Sequence, residues 1–199
     1  MKIITIRGTR YLWNYKRTIV AAAIIATITA GVFAFATQET EDHAKVYYQE
    51  DSIVVQELFP IPMIADVPLD ANLQKFIWNT SEDYGLDPKL VLAVIGQESN
   101  YKVDAVGDDG LSMGLMQVQE GCHEERMNKL GATDLMNPYD NAATGIDYLA
   151  ECIKKGGLEW GLMCYNGGAA YADAKTAQGI TTEYVEGILY LYKSFGGQL

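Results

Sequence analysis

One carboxylate in this chain stands where the local pattern asks for an apolar residue. From Asp87 to Asn100 the sequence reads DPKLVLAVIGQESN. Asp87 can cap a helix and Pro88 suits its first turn. Leu90, Val91, Val94 and Ile95 then fall on one helical face. Glu98 continues that face, four residues after Val94 and three after Ile95. Partial burial disfavours the charged form of a carboxyl. The C-terminal end of a helix is the negative pole of its dipole, which disfavours an anion as well. Both effects raise the pKa. A carboxyl still protonated near neutral pH is what a general acid needs to protonate a glycosidic oxygen. The plainer alternative is a helix-end glutamate that reaches water or meets a lysine.

Ser99 follows directly, and then a loop with Gly107, Gly110 and Gly114 leads into Gly114-Leu115-Met116-Gln117-Val118. Downstream come Asn137-Pro138, Asn141, Gly145 and Tyr148-Leu149, and then Cys164-Tyr165-Asn166-Gly167-Gly168. These blocks closely resemble those of the soluble lytic transglycosylase family, within the lysozyme-like superfamily. That family carries Glu-Ser, a turn, and Gly-Leu-Met-Gln with an apolar residue; then Asn-Pro…Asn…Gly…Tyr-Leu; then Ala-Tyr-Asn-x-Gly. Their order and spacing make the resemblance specific, and it covers roughly the last two thirds of the chain. It implies a mainly α, lysozyme-like domain. The chain departs from the pattern in a slightly longer loop, in Gly107-Asp108-Asp109 where a small-Ser pattern is common, and in Cys164 where alanine is usual.

The resemblance implies cleavage of the MurNAc-β-1,4-GlcNAc bond of peptidoglycan. Glu98 would act first as acid on the glycosidic oxygen, then as base on the 6-hydroxyl of the same N-acetylmuramyl residue, leaving a 1,6-anhydro end. Gln117 would line the cleft and contact the sugar. Met116 would pack under the glycan or under Glu98, or be a simple core methionine. The Tyr165 hydroxyl would lie close to the catalytic carboxyl. Asn166, Ser99 and Ser112 complete the substrate-binding candidates; Asn166 also reads as loop-shaping and Ser99 as a helix-terminal serine bonded locally. The first alternative is a lysozyme that hydrolyses the same bond. An inverting hydrolase needs a second carboxylate to activate water, and Asp108 is the better candidate of the Asp108-Asp109 pair. The segment also resembles goose-type lysozymes, although Asp and Gly favour turns on their own account. The second alternative is a non-catalytic peptidoglycan-binding module.

The charge distribution divides the chain. The net charge is −11, yet Lys2, Arg7, Arg10, Lys16 and Arg17 fill the first 17 residues without one acid, leaving −16 on the rest. An acidic body argues against nucleic acid as partner. Residues 1–17 read as a basic cytoplasmic tail and 18–36 as a transmembrane helix, whose core IVAAAIIATITAGVFAFA carries no charge. Ala34-Phe35-Ala36 also fits a signal-peptide cleavage site, which would release a secreted form. Residues 37–70 carry eight acids against one lysine, with Pro60, Pro62 and Pro68, and read as an extracytoplasmic linker. Val46-Tyr47-Tyr48 and Ser52–Val55 within it read as short strands or docking patches. Residues 71–199 would then be the catalytic domain, held on the outer side of the cell membrane. Its use would be wall remodelling, for growth or for a secretion or conjugation apparatus.

Within that domain the pattern is helical, and no stretch after Asp70 reads as a strand. Helices are expected after Asp70, over Glu120–Leu130, from Asn137-Pro138 to Lys155, over Leu158–Tyr165, and after Thr181 or Thr182. No cofactor is implied. The three cysteines Cys122, Cys152 and Cys164 form no CxxC pair, and His43 and His123 lack ligand spacing to them, so no metal is expected. Outside the membrane one bridge could form with one thiol left over. Cys152 and Cys164 lie on apolar helical patterns and read equally as buried thiols.

Overall fold

The computed structural model describes residues 2–6, 9–13, 46–49, 52–55 and 67–198. The expected membrane span and most of the acidic linker lie outside the described residues. Among the described residues no helix is long and apolar enough to cross a membrane. The chain divides into two units, one of Tyr15–Pro62 and one that joins Met1–Asn14 to Met63–Leu199. In the first, β3 (Val46–Gln49) pairs antiparallel with β4 (Ser52–Val55), as the strand reading of those two stretches has it. At the N-terminus, β1 (Lys2–Ile6) pairs antiparallel with β2 (Thr9–Trp13), where the sequence suggests only a charged tail.

Among the described residues from Ala71 onward there are seven α-helices. Most begin on a polar cap visible in the sequence. Asp70 accepts from the N–H groups of Asn72 and Leu73 and opens α1 (Ala71–Asp83). Asp87 accepts from Lys89 N–H and opens α2 (Pro88–Ser99). Then come α3 (Glu120–Leu130), α4 (Pro138–Gly156, capped by Asn137), α5 (Leu158–Gly167), α6 (Ala169–Ala177) and α7 (Glu183–Ser194, capped by Thr182). Each such cap satisfies N–H groups that the helix itself leaves unpaired.

α2 is the core helix. Leu90 to Ile95 are buried without a break, so it is covered on every side rather than along one stripe. It packs against α1 and α7, while α4 packs against α1, α3 and α5. Asn100 and Tyr101 then take positive φ, which turns the chain sharply off the end of α2 just past Glu98.

Two features depart from the sequence expectation. Between α2 and α3 lies a small antiparallel sheet of β5 (Val106–Gly107), β6 (Ser112–Met113) and β7 (Val118–Gln119), in that order. Strands of two residues are too short to show an alternating pattern. Helix α6 has no sequence signal: its one buried residue is Ala172 and glycines flank it, so it carries no apolar stripe.

Asn141 on α4 straps the sheet to the core. Its Oδ1 accepts from the Met116 N–H at 2.8 Å, and its Nδ2 donates to the carbonyls of Met113 (2.6 Å) and Leu135 (3.0 Å). One turn further on, Gly145 lets Met116 close onto α4. A Cβ there would lie 2.6 Å from Met116 Sδ and 3.0 Å from the Tyr165 hydroxyl. Gly145→Ala should therefore lower stability by about 1–2 kcal/mol despite alanine's better helix propensity. The check is the denaturant midpoint; a neutral or stabilising result would contradict this close packing.

Candidate active site

A cleft of about 680 Å³ opens beside the end of α2. Glu98 and Asp108 line it, together with Ser112, Gln117, Gln119, Cys122, His123, Arg126, Tyr148, Tyr165 and Asn166. Five of the candidates named from the sequence besides Glu98 thus share one concavity: Asp108, Ser112, Gln117, Tyr165 and Asn166.

Glu98 is half-buried at the last turn of α2. Its Oε1 accepts a 2.5 Å hydrogen bond from the Tyr184 hydroxyl of α7. Its pKa is raised to about 7. Burial is the largest cause; the Tyr184 hydrogen bond pulls the value back down, and the nearby charge of Asp108 pushes it up. Burial, with the Glu98 charge as the next cause, holds the Tyr184 hydroxyl well above the usual phenol range. That hydroxyl therefore keeps its proton and stays a donor.

Asp108 sits in a left-handed backbone conformation (φ 48°) at the start of a short 3-10 turn, Asp108–Gly110. Its Oδ2 accepts from the Ser112 hydroxyl at 2.5 Å and from Gln119 Nε2 at 3.2 Å. Gln119 Nε2 also donates to Ser112 Oγ at 3.0 Å. Asp108, Ser112 and Gln119 are thus one hydrogen-bonded cluster lining the cleft. Gln117 also has positive φ (47°), and its Nε2 donates to the carbonyls of Gly114 (2.9 Å) and Ala105 (3.3 Å). Its amide braces the loop while its side chain lines the cleft.

The Tyr165 hydroxyl donates to the Met116 carbonyl at 2.7 Å; burial first and then the nearby Glu98 charge hold it well above the usual phenol range. The hydroxyl bonded to Glu98 itself belongs to Tyr184. Two expectations are corrected. Met116 is wholly buried against α4 and does not line the cleft. Ser99 is buried too; its hydroxyl donates to the Ile95 carbonyl at 3.2 Å, one helical turn back, so it faces the core. Exposed Asn166 stands on the rim.

The far wall is a cluster the sequence did not announce. The Tyr148 ring lies 4.4 Å from the His123 ring and 5.3 Å from the Tyr165 ring, centroid to centroid, with the Arg126 guanidinium 5.2 Å above it. Arg126 is held by Asp147 and by Glu151 (2.5 Å). These residues come from α3, α4 and α5, so only folding unites them. Among the described residues, no group of three or more His, Cys, Asp and Glu is arranged to hold a metal ion.

Comparison with known proteins places this architecture. Two solved structures share the fold: a lytic transglycosylase Slt inactive mutant from Pseudomonas aeruginosa (TM-score 0.55, 21% identity, 65% of this chain and 24% of that one) and the 70 kDa soluble lytic transglycosylase from Escherichia coli (TM-score 0.52, 19% identity, 66% and 25%). Among curated proteins, the "X polypeptide" of Escherichia coli, including that of strain K12, is 37% identical over 93 residues, which is 43% of this chain and 54% of that protein. The chain thus spans about half the length of the curated relatives it matches. The family model described as "Transglycosylase SLT domain" matches residues 76–184, more than half of the chain, from within α1 to Tyr184 at the start of α7. With that match over a fold and a cleft of this kind, the chain belongs to the transglycosylase SLT domain family.

Proposed function

We propose that this protein is a peptidoglycan lytic transglycosylase with Glu98 in both proton-transfer roles. The observation that carries the reading is the half-buried Glu98 carboxyl, with its pKa raised to about 7, facing a cleft of about 680 Å³. At neutral pH such a group is populated in both forms, so it can give a proton and take one back. The neutral carboxyl protonates the glycosidic oxygen, the bond from that oxygen to C1 of the muramyl residue breaks, and the glucosamine end leaves with a hydroxyl. The carboxylate then removes the proton of the muramyl 6-hydroxyl while O6 bonds to C1. The net change consumes no water. The substrate's N-acetyl group shares the positive charge that develops at C1.

Asp108 favours a second reading. It lines the same cleft and its charge acts on Glu98. In a hydrolase it would activate water. Against that role, its Oδ2 is already engaged by Ser112 and Gln119.

The two readings separate by mass. The protein incubated with purified peptidoglycan should release muropeptides lighter by one water than lysozyme products. Hydrated products would move the assignment to a muramidase and make Asp108 the residue to mutate. Binding to the wall without release would favour a binding module. We also propose that the domain works outside the cytoplasm, held at the membrane through residues 18–36, where the charge pattern supports an anchor and the acidic linker supplies reach. Its partners there are glycan strands and a wall-spanning secretion, conjugation or growth apparatus.

A further inference from the structure

We propose that Cys152 and Cys164 are joined as a disulfide that staples α4 to α5 behind the active-site cleft. The two sulfurs stand 2.7 Å apart, one on each helix and twelve positions apart in sequence. Two carbon atoms in contact keep about 3.5–4.0 Å between them, and sulfur is the larger atom. Two separate thiols have no comfortable arrangement at that separation, and a small inward movement makes the bond.

The surroundings favour the same pairing. Both residues are buried, at 2% and 5% exposure, so neither has another cysteine or solvent to turn to. The third cysteine, Cys122, is exposed on α3, with its sulfur 3.7 Å from Gln119 Oε1. The backbones of α4 and α5 also approach unusually closely. A Cβ on Gly161 would lie 2.6 Å from Ile153 Cα, so only glycine fits between the helices there. A short cross-link needs such an approach. The Tyr148 hydroxyl, from α4, donates to the Cys164 carbonyl at 3.0 Å, and Tyr165 is the next residue on α5. The staple therefore fixes the seam that carries two cleft-lining rings.

The bond forms by exchange while the helix pair is still open. One cysteine thiolate attacks a disulfide donor, a small-molecule or protein disulfide, and expels one of its sulfurs as thiolate. The second cysteine thiolate then displaces the remaining donor sulfur. Two cysteine thiols lose two protons and two electrons; the donor disulfide gains them and leaves as two thiols. Once folded, burial pushes the Cys152 thiol up to about 12 if it is left reduced, so late oxidation is slow.

The test refolds the full chain in mild detergent with a mixture of oxidised and reduced glutathione, then alkylates and maps it without reductant. One alkylated cysteine, Cys122, and a Cys152–Cys164 cross-linked peptide two hydrogens lighter are expected. Three alkylated thiols, or Cys122 in the bridge, would overturn the proposal. Reductant should lower the Tm of the oxidised protein by about 10 °C, the size expected for a short closed loop in a domain like this. A variant carrying Cys152→Ala and Cys164→Ala should have the lower Tm and no response to reductant. Oxidised protein whose Tm ignores reductant would equally overturn the staple.

Discussion

Glu98→Gln should lower the rate of peptidoglycan cleavage on the order of a thousandfold and leave a folded protein that still binds the wall. The size follows from losing one group that acts in two proton transfers, each contributing about 10²–10⁴ when a positioned acid or base does it. Glutamine keeps the shape and can still accept the Tyr184 hydrogen bond, so the loss is of the proton and not of the site. The same change should alter stability in a way a surface glutamate would not. Glu98 has its pKa raised from 4.5 to about 7 on folding. Between those values the folded protein holds a proton that the unfolded chain has released, so stability falls as pH rises through that window. The contribution is fully present below 4.5 and lost above about 7, and at 1.36 kcal/mol per unit it is at most about 3 kcal/mol. Glutamine never ionises. The variant should therefore unfold at higher denaturant than wild type at pH 8, with the gap closing toward pH 4.5. Unimpaired wall lysis by the variant would end the assignment of Glu98.

α2 is readable from the sequence because its signals are local, whereas the partners around Glu98 come from distant parts of the chain. Asp70, Asp87, Asn137 and Thr182 announce their helices because a cap acts within three residues of itself. Glu98 announces itself because it breaks a local apolar pattern. Tyr184 has no such signal. It lies 86 positions from the carboxyl it serves, and on α7 its spacing matches any boundary tyrosine. The Asp108, Ser112 and Gln119 cluster depends on pairing β6 with β7, strands of two residues that no periodicity can reveal. Met116 and Ser99 err in the opposite direction. Their neighbours in the sequence face the cleft, but a tight loop and a helix end turn adjacent side chains opposite ways. The motif blocks thus converge on one cleft, and long-range packing decides which members of each block line it.

Tyr184→Phe should move the alkaline limb of the pH–rate profile upward by about one unit and lower the plateau rate. In the proposed reaction cleavage begins with Glu98 protonated, so kcat/KM should decline as pH passes the carboxyl pKa of about 7. The Tyr184 hydroxyl donates to Oε1 and stabilises the carboxylate, which holds that pKa below the value burial alone would set. A hydrogen bond to a charged group contributes about 1.5–3 kcal/mol, and 1.36 kcal/mol is one pH unit. Removing the hydroxyl therefore favours the neutral acid, and the limb moves to higher pH. The plateau should still fall, by about tenfold or more, because the same bond aims the carboxyl and stabilises it once it has given up its proton. The phenylalanine ring keeps the packing of α7 on α2, so the thermal midpoint at low pH should change little. A Tyr184 that merely fills space would depress the rate without moving the limb. A limb that moved to lower pH would show that the hydroxyl accepts from the neutral carboxyl instead of donating to the carboxylate, and would reverse its role in the second proton transfer.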